Sequence, residues 1–221
     1  MNENREFSAS EWIDFLNTRL NAALEARPIA SQAPWHLESR RFSPSLAYGR
    51  HFCPPMPTAR PAAVMILLEP LETGWHIPLT VRPNHLPDHP GQVCLPGGRL
   101  ESGESVIEAA EREFCEELGF DAFPAQTLGT IGSIYVFNSD FYLTPCIAVV
   151  DRPMRYRPLA DEVESIVHLP LRCLRDPQCQ VTRTHARGDL RWSALGIDCG
   201  DMHIWGATAI VLGELIAILR D

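Results

Sequence analysis

A glycine pair followed by a strongly acidic helix is the feature of this sequence that most restricts its structure. The stretch reads GGRLESGESVIEAAEREFCEELGF and covers residues 97–120. Its pattern predicts a helix over 104–118 that ends at Gly119, because glycine readily adopts the left-handed conformation of a helix C-cap. The chain must therefore join a glycine loop directly to a helix that carries a high negative charge.

Three glutamates crowd one side of this helix: Glu113, Glu116 and Glu117. At 100° per residue, Glu117 lies about 40° and Glu116 about 60° from Glu113, in opposite directions. Like charges at this spacing repel each other by about a few tenths of a kcal/mol per pair. Carboxylates without lysine partners suit a hard cation, Mg²⁺ or Mn²⁺. The alternative is a solvated acidic face.

The apolar residues of the same helix predict how it packs. Ile107, Phe114 and Leu118 cluster on one side and are expected to form the buried stripe. Ala109 and Ala110 fall on the side of the carboxylates and are expected to leave room above them.

Charge and cysteine content limit the possible functions. A formal net charge of −9 argues against a nucleic-acid-binding protein, which would need a basic face. The seven cysteines form no CxxC pair, which favours reduced thiols in a cytoplasmic protein over a disulfide framework or a structural zinc site. The longest apolar tract, 205–219, contains Glu214 and is too short to span a bilayer, so it predicts a buried helix and no membrane association.

The order of elements predicts an α+β fold. Residues 10–26 have helical spacing, with Ser8 and Glu11 as a capping box. We treat 1–58 as an N-terminal helix and extended arm, and 59–221 as the main domain. Strands are expected at 62–68, 75–81, 126–137, 142–150, 163–169 and 181–186, and a final helix at 205–220. The absence of a repeating βα unit argues against a doubly wound sheet.

The acidic stretch also fits a longer pattern, G-x5-E-x7-R-E-U-x-E-E-x-G-U, in which U is a bulky apolar residue. The pattern is filled by Gly98, Glu104, Arg112, Glu113, Phe114, Glu116, Glu117, Gly119 and Phe120. This is the Nudix box, and the chain resembles the Nudix hydrolases. The resemblance implies an α/β/α sandwich with a mixed sheet, here with an N-terminal helical extension.

The resemblance also implies a chemistry, which is metal-dependent hydrolysis of a nucleoside diphosphate linked to another group. It implies that Glu113, Glu116 and Glu117 hold Mg²⁺ or Mn²⁺ together with the backbone carbonyl of Gly97. The metal would neutralise the diphosphate and lower the pKa of a bound water.

Two roles follow less directly from the resemblance. Glu104 and Arg112 are expected to be structural and to tie the loop to the helix. The general base stays open between Glu113, Glu116 and a carboxylate from a distant loop. In that loop Glu162, next to Asp161, is the candidate, and a merely solvated acidic pair is the alternative.

The loop before the box, LTVRPNHLPDHPGQVCLPGG at 79–98, resembles the signature of the coenzyme A diphosphatase subgroup. The matching residues are Leu79, Thr80, Arg82, His89, Gly91, Gln92, Pro96, Gly97 and Gly98. Cleavage of coenzyme A or an acyl derivative to 3′,5′-ADP and phosphopantetheine is therefore expected. The substrate is expected to contact Arg82, His89, Gln92 and Gly98.

Three residues depart from that signature: Pro83, Pro87 and Leu95. Pro87 replaces an arginine that could grip the 3′-phosphate of coenzyme A, and proline has neither charge nor donor. The alternatives are therefore a diphosphatase for ADP-ribose, NADH or another nucleotide sugar, and a non-catalytic nucleotide-sensing module. The intact box argues against the module. A homodimer through the N-terminal arm stays open, and Trp75 and Trp205 are either core residues or surfaces for an adenine.

Overall fold

The computed structural model describes residues 7–25, 34–85 and 90–220. Its N-terminal part contains helices α1 (Ala9–Glu25) and α2 (Pro34–Arg41), followed by single 3-10 turns at Ser45–Ala47 and Arg50–Phe52. Ser8 and Glu11 cap α1 reciprocally, since each backbone nitrogen donates to the other residue's side chain, at 2.8 and 3.3 Å. The sequence predicted α1 but not α2, and the division of the chain at residue 58 stays a prediction.

Eight strands form the main sheet. They are β1 (Arg60–Leu71), β2 (Gly74–Val81), β3 (Val93–Cys94), β4 (Gly97–Arg99), β5 (Gln126–Thr130), β6 (Ile134–Val136), β7 (Phe141–Val149) and β8 (Ser165–Pro170). The central order is β3-β2-β1-β7-β5, and β8, β4 and β6 pair with β2, β1 and β7. β1 and β7 are parallel, while the other pairs are antiparallel, so the sheet is mixed. The expected α+β fold with a mixed sheet is confirmed.

The alternation of residues along β1 divides the core into two layers. Ala63, Met65 and Leu67 belong to the cluster under helix α3 (Val106–Leu118). Val64, Ile66 and Leu68 belong to the opposite cluster, which also contains Trp12, Leu16 and Leu20 of α1. Side chains of successive strand residues point to opposite faces, so one strand of apolar residues supplies both layers.

Helix α5 (Gly206–Leu219) joins α1 on the second face. It is apolar on all sides and almost entirely buried, as a helix within a core should be. No helix in the described part of the chain is both long and apolar enough to cross a membrane. The prediction of a buried final helix is confirmed.

The packing of α3 corrects two sequence predictions. Ile107 is 37% exposed and does not belong to the buried stripe. Ala109 and Ala110 are fully buried against the sheet and do not form a space above the carboxylates. Their small side chains allow the helix backbone to lie close to β1, where Phe114 and Leu118 complete the contact.

A second sheet follows the first. After helix α4 (Leu171–Arg175) come β9 (Gln180–Arg187), β10 (Leu190–Cys199) and β11 (Met202–Ile204), paired antiparallel in the order β11-β10-β9. The sequence predicted β9 but missed the other two strands. The signal for the hairpin was present, since Gly188 and Asp189 form a two-residue connection with Gly188 at φ 59°. The single strand expected at 126–137 is two strands, β5 and β6.

Candidate active site

The ends of α3 fix the helix relative to the glycine loop. Ser105 caps its start, because the nitrogen of Glu108 donates to Ser105 Oγ at 3.2 Å and the nitrogen of Ser105 to Glu108 Oε2 at 2.8 Å. Gly119 ends it at φ 77°, as predicted. A Cβ at Gly119 would lie 2.1 Å from the carbonyl oxygen of Arg157, so glycine also allows the loop after β7 to approach.

Two glutamates of α3, Glu113 and Glu117, turn inward beside the glycine loop that contains Gly97 and Gly98. Glu117 is 8% exposed, and its Oε2 accepts a hydrogen bond from the nitrogen of Gly97 at 3.3 Å. Burial, together with the charge of Glu113, raises the pKa of Glu117 to about 8. Burial also raises the pKa of Glu113. Glu117 thus lies where its negative charge is poorly compensated, while Glu113 is half-buried.

Glycine at position 98 makes this arrangement possible. A Cβ there would lie 2.4 Å from the carboxylate of Glu113, closer than any side chain tolerates. Gly97, the first glycine of the pair, is constrained as well, because it has φ 149° and a Cβ there would lie 2.3 Å from the carbonyl oxygen of Ala63. The glycine pair therefore gives the carboxylates their space.

Arg112 holds Glu104 through two hydrogen bonds. Its Nε donates to Glu104 Oε1 at 2.8 Å and its Nη2 to Glu104 Oε2 at 3.0 Å. Nη2 also donates to the carbonyl of Arg99 at 3.0 Å, which links the helix to β4. The structure thus brings together the pair that the sequence joined, and the hydrogen bonds with Glu104 raise the pKa of Arg112.

The same guanidinium reaches the acidic face, which the sequence analysis missed. Arg112 Nη1 lies 3.0 Å from Glu116 Oε2 and 3.0 Å from Glu113 Oε1. The spacing of Arg112 and Glu116, one helical turn apart, was the available signal. Glu116 is the most exposed of the three glutamates, with 55% of its side chain accessible, and it is directed toward Arg112.

The loop that carries Glu162 is fastened to the end of α3. The nitrogen of Leu159 donates to the carbonyl of Glu117 at 3.1 Å, and the nitrogen of Glu162 to that of Leu159 at 3.0 Å. The charge of Glu162 contributes to the raised pKa of both Glu113 and Glu117. The structure therefore brings this predicted residue, which is exposed, to the acidic face.

The expected substrate-binding residues are placed in part. Arg82 and Gln92 are paired, since the nitrogen of Arg82 donates to the carbonyl of Gln92 at 3.0 Å. The charge of Arg82 acts on Glu117 and lowers its pKa, so this arginine lies within electrostatic reach of the acidic face. His89 and Pro87 lie outside the described residues, and the predicted contact of His89 stays a prediction.

Glu113 and Glu117 are suited to a hydrated divalent cation. In the described ranges, no group of three or more His, Cys, Asp or Glu side chains forms a closed metal cage. Mg²⁺ does not need one, because it keeps several waters and is usually held by one or two carboxylates and substrate phosphates. The carboxylate of Glu117, whose raised pKa reflects a buried and poorly compensated charge, and the half-buried carboxylate of Glu113 are oxygen donors that fit such an ion.

Comparison with known proteins supports the same reading. The model of the NUDIX domain matches residues 58–170. The Nudix hydrolase NudL of Enterobacter sp. (strain 638) is 32% identical over 165 residues, 71% of this chain and 81% of that protein. The chain belongs to the Nudix hydrolase family. Nudix hydrolases act on nucleoside diphosphate derivatives and generally use divalent metal ions.

Other relatives match a smaller part of this Nudix hydrolase or are less similar to it in sequence. Nudix hydrolase 3 of Caenorhabditis elegans is 33% identical over 112 residues, 49% of this chain, which spans only 47% of that protein. Among solved structures, RenU of M. smegmatis is similar over 50% of this chain and 70% of its own, with 23% identity and a TM-score of 0.44. The MutT Nudix hydrolase of Burkholderia pseudomallei is similar over 71% and 98%, with 19% identity and a TM-score of 0.43.

Proposed function

We propose that this Nudix hydrolase cleaves the diphosphate of coenzyme A or an acyl-coenzyme A, giving 3′,5′-ADP and (acyl-)phosphopantetheine. One observation carries the hydrolytic part: the buried carboxylate of Glu117 and the half-buried carboxylate of Glu113 lie beside a glycine loop that leaves them space. The preference for coenzyme A rests on the resemblance of the loop at 79–98 to the coenzyme A diphosphatase signature.

In this proposal Glu113 and Glu117 hold Mg²⁺ or Mn²⁺, with Glu116 and the carbonyl of Gly97 as further ligands. A divalent ion held by these residues would neutralise the diphosphate and lower the pKa of a bound water. The nitrogen of Gly97 keeps one oxygen of Glu117 in place. Arg112 orients Glu113 and Glu116 through Nη1 and also ties the helix to Glu104.

Glu162 is the base in this mechanism. A carboxylate oxygen of Glu162 takes the proton of the attacking water, while Glu113 and Glu116 are both paired with the guanidinium of Arg112. Glu162 approaches from another loop and is exposed, so it can exchange that proton with solvent. The alternatives are Glu113 and Glu116 themselves.

Arg82, Gln92, Gly98 and His89 bind the substrate in this proposal. Arg82 supplies positive charge within reach of Glu117, where a phosphate would lie. The seven free cysteines fit a reducing cytoplasm, and a homodimer through residues 1–58 belongs to the same proposal.

A second candidate function is hydrolysis of ADP-ribose, NADH or another nucleotide sugar. Pro87 favours it, because this residue cannot bind the 3′-phosphate that distinguishes coenzyme A. A nucleotide-sensing module without activity is disfavoured, since such modules generally lose carboxylates of the box and all of them are present here.

A product assay with purified protein tests the proposal. Coenzyme A, dephospho-coenzyme A, ADP-ribose and NADH are compared at equal concentration with Mg²⁺ or Mn²⁺, and with EDTA as the control. Faster cleavage of coenzyme A than of its dephospho form is the expected result. Faster cleavage of ADP-ribose or NADH would support the second candidate, and no metal-dependent cleavage of any substrate would refute the hydrolytic mechanism.

A further inference from the structure

A cluster of stacked rings on the second sheet lies outside the Nudix box. We call it the ring platform; it consists of His185, Trp192, His203 and Trp205. The rings of His185 and Trp205 lie 4.0 Å apart and 25° from parallel. Trp192 and His203 stand 5.8 and 5.6 Å from His185, at 19° and 24°. All four side chains are half-buried, so the platform is partly accessible to solvent.

Strand register explains why these rings meet. His185 is paired with Trp192 and His203 with Asp198, so rings from the outer strands rise on the same face of β10. The middle strand has small residues between them: Ala194 is 2% exposed, and a Cβ at Gly196 would lie 2.7 Å from Cε1 of His203. The small floor lets the rings lie across β10.

The platform contains polar atoms that lack a protein partner. Nε2 of His185 and Nε2 of His203 are both buried and accept or donate no hydrogen bond within the described residues. His203 is fixed in orientation, because its Nδ1 lies 2.5 Å from Asp198 Oδ1. Buried polar atoms are nearly always hydrogen-bonded in folded proteins, so two such nitrogens beside an aromatic face indicate a ligand with a polar edge.

The ring platform is also linked to the acidic face. Trp205 caps α5, and Thr208 in the first turn of that helix is a hydrogen-bond partner of the Cys94 thiol. In addition, β11, which carries His203, packs against β3, which carries Cys94.

We propose that the ring platform binds the adenine base of the nucleotide substrate. This inference rests on the proposed function, because it assigns a second part of the same substrate. A purine is flat, so it can stack on the accessible part of a half-buried Trp or His ring, and its edge offers the ring nitrogens and amine that Nε2 of His185 and His203 can bond. The base of a nucleoside diphosphate also needs a site near its phosphates but separate from them.

Binding of adenosine 3′,5′-bisphosphate, measured by saturation-transfer NMR and calorimetry with Mg²⁺, tests the inference. The adenine protons should receive saturation from the wild type, and Trp205→Leu should raise Kd about tenfold, the effect of losing one base–ring stack. Ribose 5-phosphate, which has no base, should bind both proteins equally.

Trp75→Leu is the matched control. Trp75 is also half-buried, but it packs against Trp12, and its Nε1 donates to the carbonyl of Phe7 at 2.7 Å. This variant should bind the bisphosphate like the wild type. If Trp205→Leu does not fold, His185→Ala decides, since it removes the ring stacked on Trp205. Unchanged Kd in the folded variant, or no saturation of the adenine protons, would overturn the inference.

Hydrolysis assays on the same proteins separate the two proposals. If the wild type binds adenine through Trp205 but cleaves no diphosphate, the proposed function fails and the platform stands. If Trp205→Leu and His185→Ala cleave an adenine-containing substrate with unchanged KM, adenine binding by the ring platform is contradicted and the proposed function stands. A raised KM for that substrate in Trp205→Leu, with Trp75→Leu unchanged, supports both.

Discussion

The backbone nitrogen of Gly97 donates to Oε2 of Glu117 at 3.3 Å, and this bond joins the glycine loop to the last turn of the acidic helix. It is a single backbone donor for a carboxylate that is otherwise surrounded by protein and by other negative charges. The fold therefore disfavours the ionised form of Glu117, and a bound cation would stabilise it.

Replacing Glu117 by Gln should separate activity from stability. We expect turnover to fall by about 100-fold or more, because the charge stabilisation that a metal supplies is worth several kcal/mol. The metal-free variant should melt no lower than the wild type, since a neutral amide is easier to bury. Thermal melting with and without Mg²⁺ checks this, with Glu72→Gln in an exposed turn as the control. A variant with wild-type turnover would remove the metal site from Glu117.

Glu162 and its neighbour Asp161 form a matched pair for testing the base. Glu162→Gln should lower kcat by about 10²-fold or more, as expected for loss of a general base. Asp161→Asn should leave kcat unchanged, because it is the charge of Glu162 that acts on Glu113 and Glu117. Steady-state kinetics at saturating metal measure both. Equal loss in the two variants would mean that the loop acts through its charge or its folding.

Replacing each of the two glycines of the loop should have a different effect on the protein. Gly98→Ala places a Cβ against the Glu113 carboxylate, which is the end of a flexible side chain, so the protein should fold but bind Mg²⁺ about tenfold or more weakly. Gly97→Ala is strained at φ 149° and clashes with backbone, so it should melt well below the wild type. Calorimetric titration and melting curves compare them. Normal Mg²⁺ affinity in Gly98→Ala would contradict the role given to Glu113.

Variants of Glu104 and Arg112 should distinguish structure from catalysis. Glu104→Gln weakens the two bonds to Arg112 and should lower the free energy of unfolding by about 1–2 kcal/mol, as for hydrogen bonds to charged groups. Arg112→Ala should lower it further and should also alter the Mg²⁺ dependence of turnover, because it releases Glu113 and Glu116. Denaturant unfolding and metal titrations measure the two effects. Arg112→Ala with unchanged melting would show that the arginine is not structural.

The environment of Glu69 predicts that the folded protein loses stability in acid. Its side chain is fully buried; burial raises the pKa of Glu69, but hydrogen bonds from His168, Tyr156 and the nitrogen of Met154 outweigh this and lower it overall. A carboxyl with a lower pKa in the folded state stabilises the fold above its unfolded pKa, and this stability is lost as pH falls through the folded pKa. Urea unfolding at pH 6 and below pH 4 should show the loss in the wild type. Glu69→Gln should be less stable at pH 6 and should lose less in acid, and equal losses would contradict the assignment.

Local sequence determined the box and its helix. Capping residues, a glycine terminator and the helical period act over a few residues, so the end of α3 and the shared face of its three glutamates followed from spacing alone. The apolar segments of β1, β2 and β7 likewise predicted those strands. The pairing of Glu104 with Arg112 was expected from the family resemblance and is present in the structure, while the role of Glu162 stays a prediction.

Other features depended on which segments meet in space. Whether Ala109 and Ala110 face the sheet and Ile107 the solvent depends on how α3 settles against β1, which its own period does not specify. β10 and β11 lack strong alternation, and the ring platform exists because small residues on β10 leave room for rings from the neighbouring strands. The spacing of the three glutamates in the sequence determined that their charges share one face of α3. Only tertiary packing brings the glycine loop and the loop of Glu162 against this face. That packing raises the pKa values of Glu113 and Glu117, because a charge is costly only where water is excluded.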